Sequence, residues 1–248
     1  MLIDCHTHLD AFPDDEIDDI LNRARCADVS SIVSAGTTLE SSWRSAQLSS
    51  KFDMMWSGVG IHPTELQSSF DDLAYGELRE VANSSDKVVA ISEIGLDFME
   101  GSPDRSIQYP AFREQIRLAR ELHLPIIFHS RDAHQESLRV LREEQAYEVG
   151  GAMHYFSANL STAKQVIDLG FYISVARPLL RSQDLQKTVA VLPIEYIVLE
   201  TDSAPQPFKA KRENWTEPKH VKDVAKKLAE LQGKSLEEVE TITSQNTI

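Results

Sequence analysis

Two histidines, His6 and His8, follow a short apolar run at residues 2–5 of the chain. In a β-strand alternate side chains point to the same face, so these two imidazoles project together. Two imidazoles on one face can share a metal ion, although such a pair is more often exposed or hydrogen-bonded than ligating. The pair therefore indicates a metal site only if further ligands accompany it.

Four more side chains of metal-binding type stand at the ends of later apolar runs: Glu93, His129, His154 and Asp202. Taken singly, they have structural explanations, such as a backbone hydrogen bond for His129, a helix cap for Glu93 or an Asx turn for Asp202. Burying all six groups at apolar strand ends would be costly unless a metal compensated them. Together the six residues predict a metal centre.

The composition of this ligand set predicts the number and kind of ions. Four histidines and two carboxylates are typical of Zn, Mn, Ni, Fe or Co rather than Ca. Six protein ligands exceed what one tetrahedral catalytic zinc takes, so we expect two divalent ions, with Mg, Mn or Zn as the candidates. Two-metal hydrolases hold their ions about 3.5 to 4 Å apart. Glu93 has two oxygens and is the expected bridge.

Apolar strands alternate with amphipathic helices almost to the end of the chain. Strands are predicted at residues 2–5, 31–35, 54–61, 88–93, 125–129, 151–154, 171–175 and 195–199. Helices are predicted at 14–27, 39–51, 71–83, 107–122, 133–145, 161–169 and 183–191, with two more at 218–231 and 236–244. This order predicts an α/β fold, a (β/α)8 TIM barrel in a single domain over residues 1–248, with an open doubly wound sheet as the alternative.

The barrel prediction explains where the candidate ligands fall. All six stand at or just beyond the carboxyl ends of different predicted strands. In a (β/α)8 barrel those ends converge on the face where active sites lie. The fold and the metal centre are therefore consistent predictions.

Composition limits the classes of function. The net charge is −14, from 39 acidic and 25 basic residues, which disfavours general adhesion to duplex nucleic acid or anionic membranes. The two cysteines, Cys5 and Cys26, form neither a disulfide framework nor a zinc knuckle. Without a leader-like or membrane-spanning pattern, we expect a soluble, cytoplasmic protein with no membrane partner. A monomer is compatible with these features, although they do not determine the oligomeric state.

Six short motifs are spread along almost the whole chain: Asp4-Cys5-His6-Thr7-His8-Leu9-Asp10, Gly60-Ile61-His62-Pro63, Gly95-Leu96-Asp97, His129-Ser130-Arg131, His154-Tyr155-Phe156-Ser157 and Glu200-Thr201-Asp202. In order and spacing they resemble the TatD family of metal-dependent deoxyribonucleases, within the amidohydrolase superfamily. Departures from the family's usual pattern fall at Tyr155, Ala158 and 203–207, and they leave the six candidate ligands intact.

The resemblance implies a (β/α)8 barrel that holds up to two divalent ions. One ion would be bound by His6, His8, Glu93 and Asp202, and the other by Glu93, His129 and His154. The implied reaction is hydrolysis of phosphodiester bonds in DNA, with RNA as a further possibility. The implied mode is that of a 3′ to 5′ exonuclease that prefers single strands, so nucleic acid is the expected partner.

Chemically, a metal-bound hydroxide formed near neutral pH would attack phosphorus, while the second ion stabilises charge on the other oxygens. We expect Asp202, Glu93 and His154 to be the catalytic residues, with Asp202 orienting or deprotonating the water. The forked donors of Arg131 fit a phosphate clamp better than a surface salt bridge. His62 is a candidate substrate contact, with a hydrogen-bonded turn as the alternative.

Several other side chains have weaker functional signals. Asp97 either orients a ligand or, as we favour, holds its loop. The aromatic residues near the motifs could stack on bases, but we favour packing roles for each; they are Phe98, Tyr155, Phe156 and Trp215. The remaining histidines stand on or beside predicted helices, where exposed side chains are expected; they are His123, His134 and His220.

Two other functions use the same features. An amidohydrolase-type enzyme that cleaves a small amide, lactone or phosphate ester would need the same metal centre, and the acidic composition suits a small substrate. A scaffold without turnover would have no need of the six ligands. We therefore expect an enzyme, with the small-molecule hydrolase as the alternative to the nuclease.

Overall fold

The computed structural model describes all 248 residues and contains one eight-stranded parallel sheet. The strands lie side by side in chain order. They are β1 (Leu2–Thr7), β2 (Val29–Ala35), β3 (Met55–Val59), β4 (Val88–Asp97), β5 (Ile126–Arg131), β6 (Gly151–Met153), β7 (Phe171–Val175) and β8 (Ile197–Leu199).

A helix follows each of the first seven strands, and two helices follow the last one. They are α1 (Asp14–Cys26), α2 (Leu39–Lys51), α3 (Asp72–Ala82), α4 (Arg105–Leu122), α5 (His134–Glu143), α6 (Leu160–Asp168), α7 (Gln183–Val189), α8 (Val221–Gln232) and α9 (Leu236–Thr247). None of these helices combines the length and apolar character needed to cross a membrane.

The sheet closes where its first and last strands meet. The Asp202 N–H donates to the His6 carbonyl at 3.0 Å, and the His8 N–H donates to the Ser203 carbonyl at 2.8 Å. These bonds join the end of β1 to the segment after β8. The predicted (β/α)8 barrel is therefore confirmed, and an open doubly wound sheet is excluded.

Local sequence explains why the helices begin where they do. At the start of α2 the Thr38 hydroxyl accepts from the Ser41 N–H, and the Ser41 hydroxyl accepts from the Thr38 N–H. Ser235 and Glu238 form the same reciprocal capping pattern at α9. Each pair satisfies backbone donors that the first turn of a helix leaves free. The apolar faces of these helices then pack on the strands, and each fully buried apolar side chain contributes roughly 1.5 to 3 kcal/mol.

The main corrections to the predicted bounds lie at the site-bearing ends of strands. The apolar pattern predicts that β4 ends at Glu93 and β5 at His129, yet they continue to Asp97 and Arg131. Backbone pairing continues there, with Gly95 opposite His129, although the side chains are no longer apolar. The apolar pattern stops where side chains turn towards the polar site, so it underestimates strand length.

Gly95 is required at this close approach of β4 to β5. Its φ is +151°, and a Cβ at this position would lie 1.9 Å from the His129 carbonyl oxygen. Only glycine fits such a conformation beside another backbone. The contact holds His129 next to the strand that carries Glu93.

Candidate metal centre

The six residues predicted as metal ligands meet at the carboxyl-terminal face of the barrel. His6 lies on β1 with His8 just after it, Glu93 on β4, His129 on β5, His154 directly after β6 and Asp202 after β8. Three of these side chains are buried, namely His6, Glu93 and His154, and Glu93 is only 3% exposed. The other three are partly exposed, so the cluster is open to solvent on one side.

Glu93 lies at the centre of the cluster and divides the histidines into two sets. Its Oε2 lies 3.4 Å from Nε2 of His6 and 3.7 Å from Nε2 of His8. Its Oε1 lies 3.0 Å from Nδ1 of His129 and 3.4 Å from Nε2 of His154. One carboxylate therefore faces two separate groups of nitrogen donors, which is the arrangement of a bridging ligand.

Asp202 lies over the first of these groups. Its Oδ1 is 3.3 Å from Nε2 of His8 and 4.0 Å from Nε2 of both His6 and His154. Its backbone has a φ of +52°, a left-handed conformation that Asp adopts more readily than most residues. The side chain is 29% exposed, so this carboxylate is accessible to solvent as well as to the cluster.

Hydrogen bonds behind the rings determine which nitrogen of each histidine faces the cluster. Nδ1 of His8 lies 2.9 Å from the Ala35 carbonyl, which can only accept, so Nδ1 is the donor. Nδ1 of His154 lies 3.0 Å from the Glu200 carboxylate and is a donor for the same reason. In a neutral imidazole the other nitrogen, Nε2, then carries the lone pair. Both rings present a metal-binding atom to the cluster.

His129 and His6 complete the set of inward-facing nitrogens. Nε2 of His129 lies 2.9 Å from Oδ2 of Asp97 and Nδ1 lies 3.0 Å from Oε1 of Glu93, so with Nε2 bonded to Asp97 it is Nδ1 that faces the cluster. His6 is fully buried, and its Nδ1 has no hydrogen-bond partner. A metal ion bound at Nε2 would explain why this ring is buried although its Nδ1 is unpaired.

His62 also joins the cluster, but it faces Glu93 with its protonated nitrogen. Its Nδ1 accepts from the Thr64 N–H at 3.1 Å, so the neutral ring carries its proton on Nε2. That Nε2 lies 3.5 Å from Oε1 of Glu93. The geometry places His62 within reach of the centre as a hydrogen-bond donor. The hydrogen-bonded turn expected as the alternative is present, and the role of His62 as a substrate contact stays a prediction.

The two carboxylates remain ionised in this environment. Burial would raise the pKa of Glu93, but the surrounding imidazoles, foremost His154 and His62, hold it well below its usual range. Burial would also raise the pKa of Asp202, but the hydrogen bond from His8 and nearby imidazole charges lower it to about 2. Both side chains therefore offer negative charge to a cation at any physiological pH.

The residues present fit a divalent metal. Three groups place their ligand atoms within 4.8 Å of one another: His6, His8 and Glu93; His6, His154 and Asp202; and His62, Glu93 and His129. The mixture of imidazole nitrogen and carboxylate oxygen suits transition metals or zinc. By its tautomer, His62 is the member least suited to ligation.

Two buried carboxylates that support the cluster, Glu200 and Asp4, have no role predicted from the sequence. Glu200 accepts from Ser174 and from the Tyr155 N–H, in addition to binding His154. Asp4 accepts from the Thr201 N–H at 2.9 Å and from the Thr201 hydroxyl at 2.5 Å. Only their positions in the chain could have indicated these residues. Glu200 lies two residues before Asp202, and Asp4 lies two residues before His6 on the same strand face.

Arg131 and Asp97 form an ion pair at the edge of the site. Nη2 of Arg131 lies 2.7 Å from Oδ2 of Asp97, and its Nε lies 2.8 Å from the same oxygen. Asp97 also accepts from the Ser102 hydroxyl and the Met99 N–H. Asp97 thus both orients His129 and holds its loop. The Arg131 side chain is 44% exposed, so its remaining donors are accessible.

A cavity of about 590 Å³ opens above the cluster. His62, Arg131, Tyr155 and Asp202 are among the side chains that line it. His134, expected from the sequence to be an exposed helix residue, also lies in this wall, where its Nδ1 is 3.0 Å from the Ser130 hydroxyl. His134 begins α5, and helix starts in this fold face the active-site end, so its position in the chain could have indicated this.

The aromatic residues near the motifs divide by exposure. Phe156 is 1% exposed and belongs to the core. Trp215 packs against Phe12, with ring centroids 6.1 Å apart, and Phe98 lies under the Arg105 guanidinium at 3.8 Å. Tyr155 differs, because it is 40% exposed and lines the cavity. Packing therefore explains Phe98, Phe156 and Trp215 but leaves the Tyr155 ring available.

Comparisons with known proteins agree with this geometry. The sequence model of a family described as TatD related DNase matches residues 3–248. A Bacillus subtilis protein named as the uncharacterized metal-dependent hydrolase YabD is 35% identical, over 99% of this chain and 97% of its own. The 3′-5′ ssDNA/RNA exonuclease TatD of Cronobacter sakazakii is 32% identical, over 94% of this chain and 90% of its own. The crystal structure of YjjV, a TatD homologue from Escherichia coli, superposes with a TM-score of 0.90 at 29% identity, covering 99% of this chain and 96% of that one.

Proposed function

The chain belongs to the TatD family of metal-dependent deoxyribonucleases, and from this premise we propose that it hydrolyses phosphodiester bonds of single-stranded DNA from the 3′ end. RNA is a further substrate of the same chemistry. The observation that carries the proposal is the Glu93 carboxylate, whose two oxygens face two separate sets of imidazole nitrogens. The name of the Cronobacter relative supports the direction and the strand preference.

We assign the centre two divalent ions, with Mg, Mn or Zn as candidates. The donors facing Oε2 of Glu93 are His6 and His8, with Asp202 beside them. The donors facing Oε1 are His129 and His154. Divalent ions bound there would supply Lewis-acid polarisation of phosphoryl oxygens and a lower pKa for the attacking water.

Asp202 has the position of the group that handles the attacking water. It is ionised, it reaches solvent, and it lies within 4.0 Å of three imidazoles of the cluster. Its carboxylate accepts a hydrogen bond from the water and takes up the proton as the new P–O bond forms. The low pKa of about 2 keeps this carboxylate ionised but makes it a weak base, so it passes the proton on to solvent.

Two side chains on the cavity wall suit the phosphate and the leaving group. The free donors of Arg131 bind non-bridging phosphate oxygens, while Asp97 fixes the direction of its guanidinium. The Nε2–H of His62 donates to the oxygen that leaves. Substrate is thereby oriented by donors on one side and attacked from the Asp202 side.

The experiment that tests the proposal uses metal-stripped protein reconstituted with Mg, Mn or Zn. Single-stranded and duplex DNA labelled at either end would be digested beside Glu93→Ala and, as a matched control, exposed Glu195→Ala. Metal-dependent shortening from the 3′ end that is lost only with Glu93→Ala supports the nuclease. If folded, metal-binding protein cleaves only a small phosphate ester, amide or lactone, the nuclease is wrong and the small-molecule hydrolase replaces it.

A further inference from the structure

Three cations lie at the same end of the barrel as the metal centre without a carboxylate at hydrogen-bond distance. Arg177 and Arg181 follow β7, and Lys209 lies in the segment after β8. The Lys209 ammonium donates only to the Asn214 carbonyl, at 2.9 Å, and the Arg181 side chain makes no hydrogen bond. In a chain of net charge −14, such a group of unneutralised cations is unusual.

Arg177 has a donor that its own protein does not satisfy. Its Nη1 is buried and has no hydrogen-bond partner, and the nearest carboxylate oxygen, Oδ2 of Asp223, is 3.9 Å away. A buried donor without an acceptor costs free energy that a bound acceptor would recover. The Arg177 guanidinium therefore has a free donor with which to bind an anion.

The three cations lie close to one another. Burial lowers the pKa of the Lys209 ammonium, and the charges of Arg177 and Arg181 lower it further. Burial likewise lowers the pKa of Arg177, with a further contribution from Arg181. Mutual repulsion of this kind destabilises the cluster until an anion enters it.

Backbone bonds connect this cluster to the cavity wall. The Glu200 carboxylate accepts from the Tyr155 N–H at 2.9 Å, and the Glu200 N–H donates to the Val175 carbonyl, two residues before Arg177. Tyr155 directly follows His154 of the metal centre, is 40% exposed and lines the cavity, so its ring lies on the wall to which these backbone bonds connect the Arg177 segment.

We propose that Arg177, Arg181 and Lys209, together with the Tyr155 ring, form a subsite for the nucleotide next to the scissile bond. The cations bind its backbone phosphate and the ring stacks on its base. Single-strand binders combine these two elements, and the loops after strands 7 and 8 are a frequent phosphate site in (β/α)8 barrels. The inference rests on the proposed nuclease function and specifies how the substrate extends from the site.

Arg181→Glu is the first variant for the test, because this exposed side chain has no partner to lose. Arg142→Glu is its matched control, since Arg142 is also exposed and lies in the last turn of α5, at the opposite end of the barrel. A fluorescent single-stranded oligothymidylate of eight nucleotides would be titrated in a chelator, followed by anisotropy, across a range of salt. Arg181→Glu should weaken binding at low salt about tenfold and reduce the slope of log K against log salt by about 0.7 for each phosphate that is no longer neutralised. Arg142→Glu should change neither.

A backbone-neutral substrate identifies the phosphate. Methylphosphonate would replace one linkage at a time in the oligothymidylate. In the wild-type protein one linkage near the 3′ end should weaken binding about as much as Arg181→Glu does, and in the variant the same replacement should have no further effect. Additive losses at every linkage would show that Arg181 contacts no particular phosphate and would overturn the subsite. Inorganic phosphate that competes equally well in both proteins would show a site for free phosphate elsewhere and would have the same consequence.

Kinetic measurements distinguish a failure of the proposed subsite from a failure of the proposed nuclease function. The ratio of kcat/KM for the oligonucleotide to that for bis(p-nitrophenyl) phosphate should fall about tenfold in Arg181→Glu and in Tyr155→Ala, and Tyr155→Phe should restore it because the ring is kept. A wild-type protein that cleaves and binds DNA, with an unchanged ratio in all variants, overturns the subsite alone. A wild-type protein that neither binds nor cleaves DNA overturns the proposed function and the subsite together.

Discussion

The Glu200 carboxylate lies 3.0 Å from Nδ1 of His154 and so determines which nitrogen of that ring faces Glu93. Glu200 is fully buried and receives two further hydrogen bonds, from Ser174 and from the Tyr155 N–H. It is a positioning residue, because it reaches the centre only through His154. Partners of this kind fix the tautomer and orientation of a ligand ring.

Glu200→Gln should therefore weaken metal binding. The amide has one accepting oxygen instead of two and no negative charge. It therefore holds the Nδ1–H of His154 less firmly, and the ring can turn or change tautomer. We expect metal affinity to fall about 10- to 100-fold, measured by competition with a chelating dye. Glu195→Gln, on the surface just before β8, should bind metal like the wild type. Equal affinity in Glu200→Gln would show that Glu200 serves only packing.

His62 and His129 should respond differently to substitution. His129 faces the cluster with Nδ1, because its Nε2 bonds to Asp97, whereas His62 faces it with a protonated Nε2. His129→Ala should lower the metal content of the purified protein. His62→Ala should retain the metal and lose about 100-fold or more in kcat, as expected for a lost proton donor. Metal analysis and steady-state kinetics on the same preparations test this, with His123→Ala, outside the site, as the control; metal loss in His62→Ala would contradict the tautomer assignment.

Thr201→Val should destabilise the fold. The Thr201 hydroxyl donates to Oδ2 of Asp4 at 2.5 Å, and Asp4 is fully buried. Loss of this donor leaves a buried carboxyl oxygen unpaired and should lower the free energy of unfolding by about 1 to 3 kcal/mol. Urea unfolding in a chelator measures this without a metal contribution. Thr241→Val on the exposed face of α9 should have little effect, and a similar loss there would mean that the Asp4 contact is not the cause.

Glu144 should make stability depend on pH at the acid end. Burial opposes its ionisation, but hydrogen bonds from Arg117 and Arg113 lower its pKa below the usual 4.5. Since the folded state has the lower pKa, the ion pairs stabilise the fold above about pH 4.5 and lose this effect as the pH falls through the folded-state value. Glu144→Gln should cost about 1 to 3 kcal/mol at pH 7 and progressively less in acid.

Urea unfolding from pH 7 to pH 3, in a chelator, follows the difference between the wild type and Glu144→Gln. Glu114→Gln removes a more exposed partner of the same Arg117 and should show a smaller, flatter difference. A Glu144 difference that does not shrink on acidification would show that packing, rather than charge, holds this side chain.

The site could be predicted largely from the sequence because strand ends in a parallel barrel converge. His129 and Asp202 can be recognised as members of one site although they follow different strands. Each follows an apolar run, and an apolar run that ends in a metal-ligand residue type marks the carboxyl end of a strand. The proton on His62 could not be predicted in this way. It depends on one hydrogen bond from Thr64, and a turn of this kind gives no signal beyond its residue types.

Individual hydrogen bonds between supporting residues far apart in the chain could not be predicted from the sequence either. Glu200 meets His154 across 46 positions, and neither residue type specifies the other. The lengths of β4 and β5 are underestimated for a related reason, because backbone pairing does not require the apolar side chains by which a strand is recognised. The rim cations Arg177 and Arg181 look like any surface arginines until the structure shows that no carboxylate lies at hydrogen-bond distance from them.

The contacts that join β1 to the segment after β8 also complete the metal centre, so the site depends on the order of folding. Asp4 and Thr201 are 197 positions apart, and the bonds between them and between His6 and Asp202 form only when the last strand reaches the first. Closing so long a loop is entropically the most demanding step of assembly. A chain that is still emerging from the ribosome, or one cut before its final strand, therefore has histidines but lacks Asp202. Such a fragment lacks the carboxylate proposed to handle the attacking water, so we expect activity only in molecules that have completed their fold.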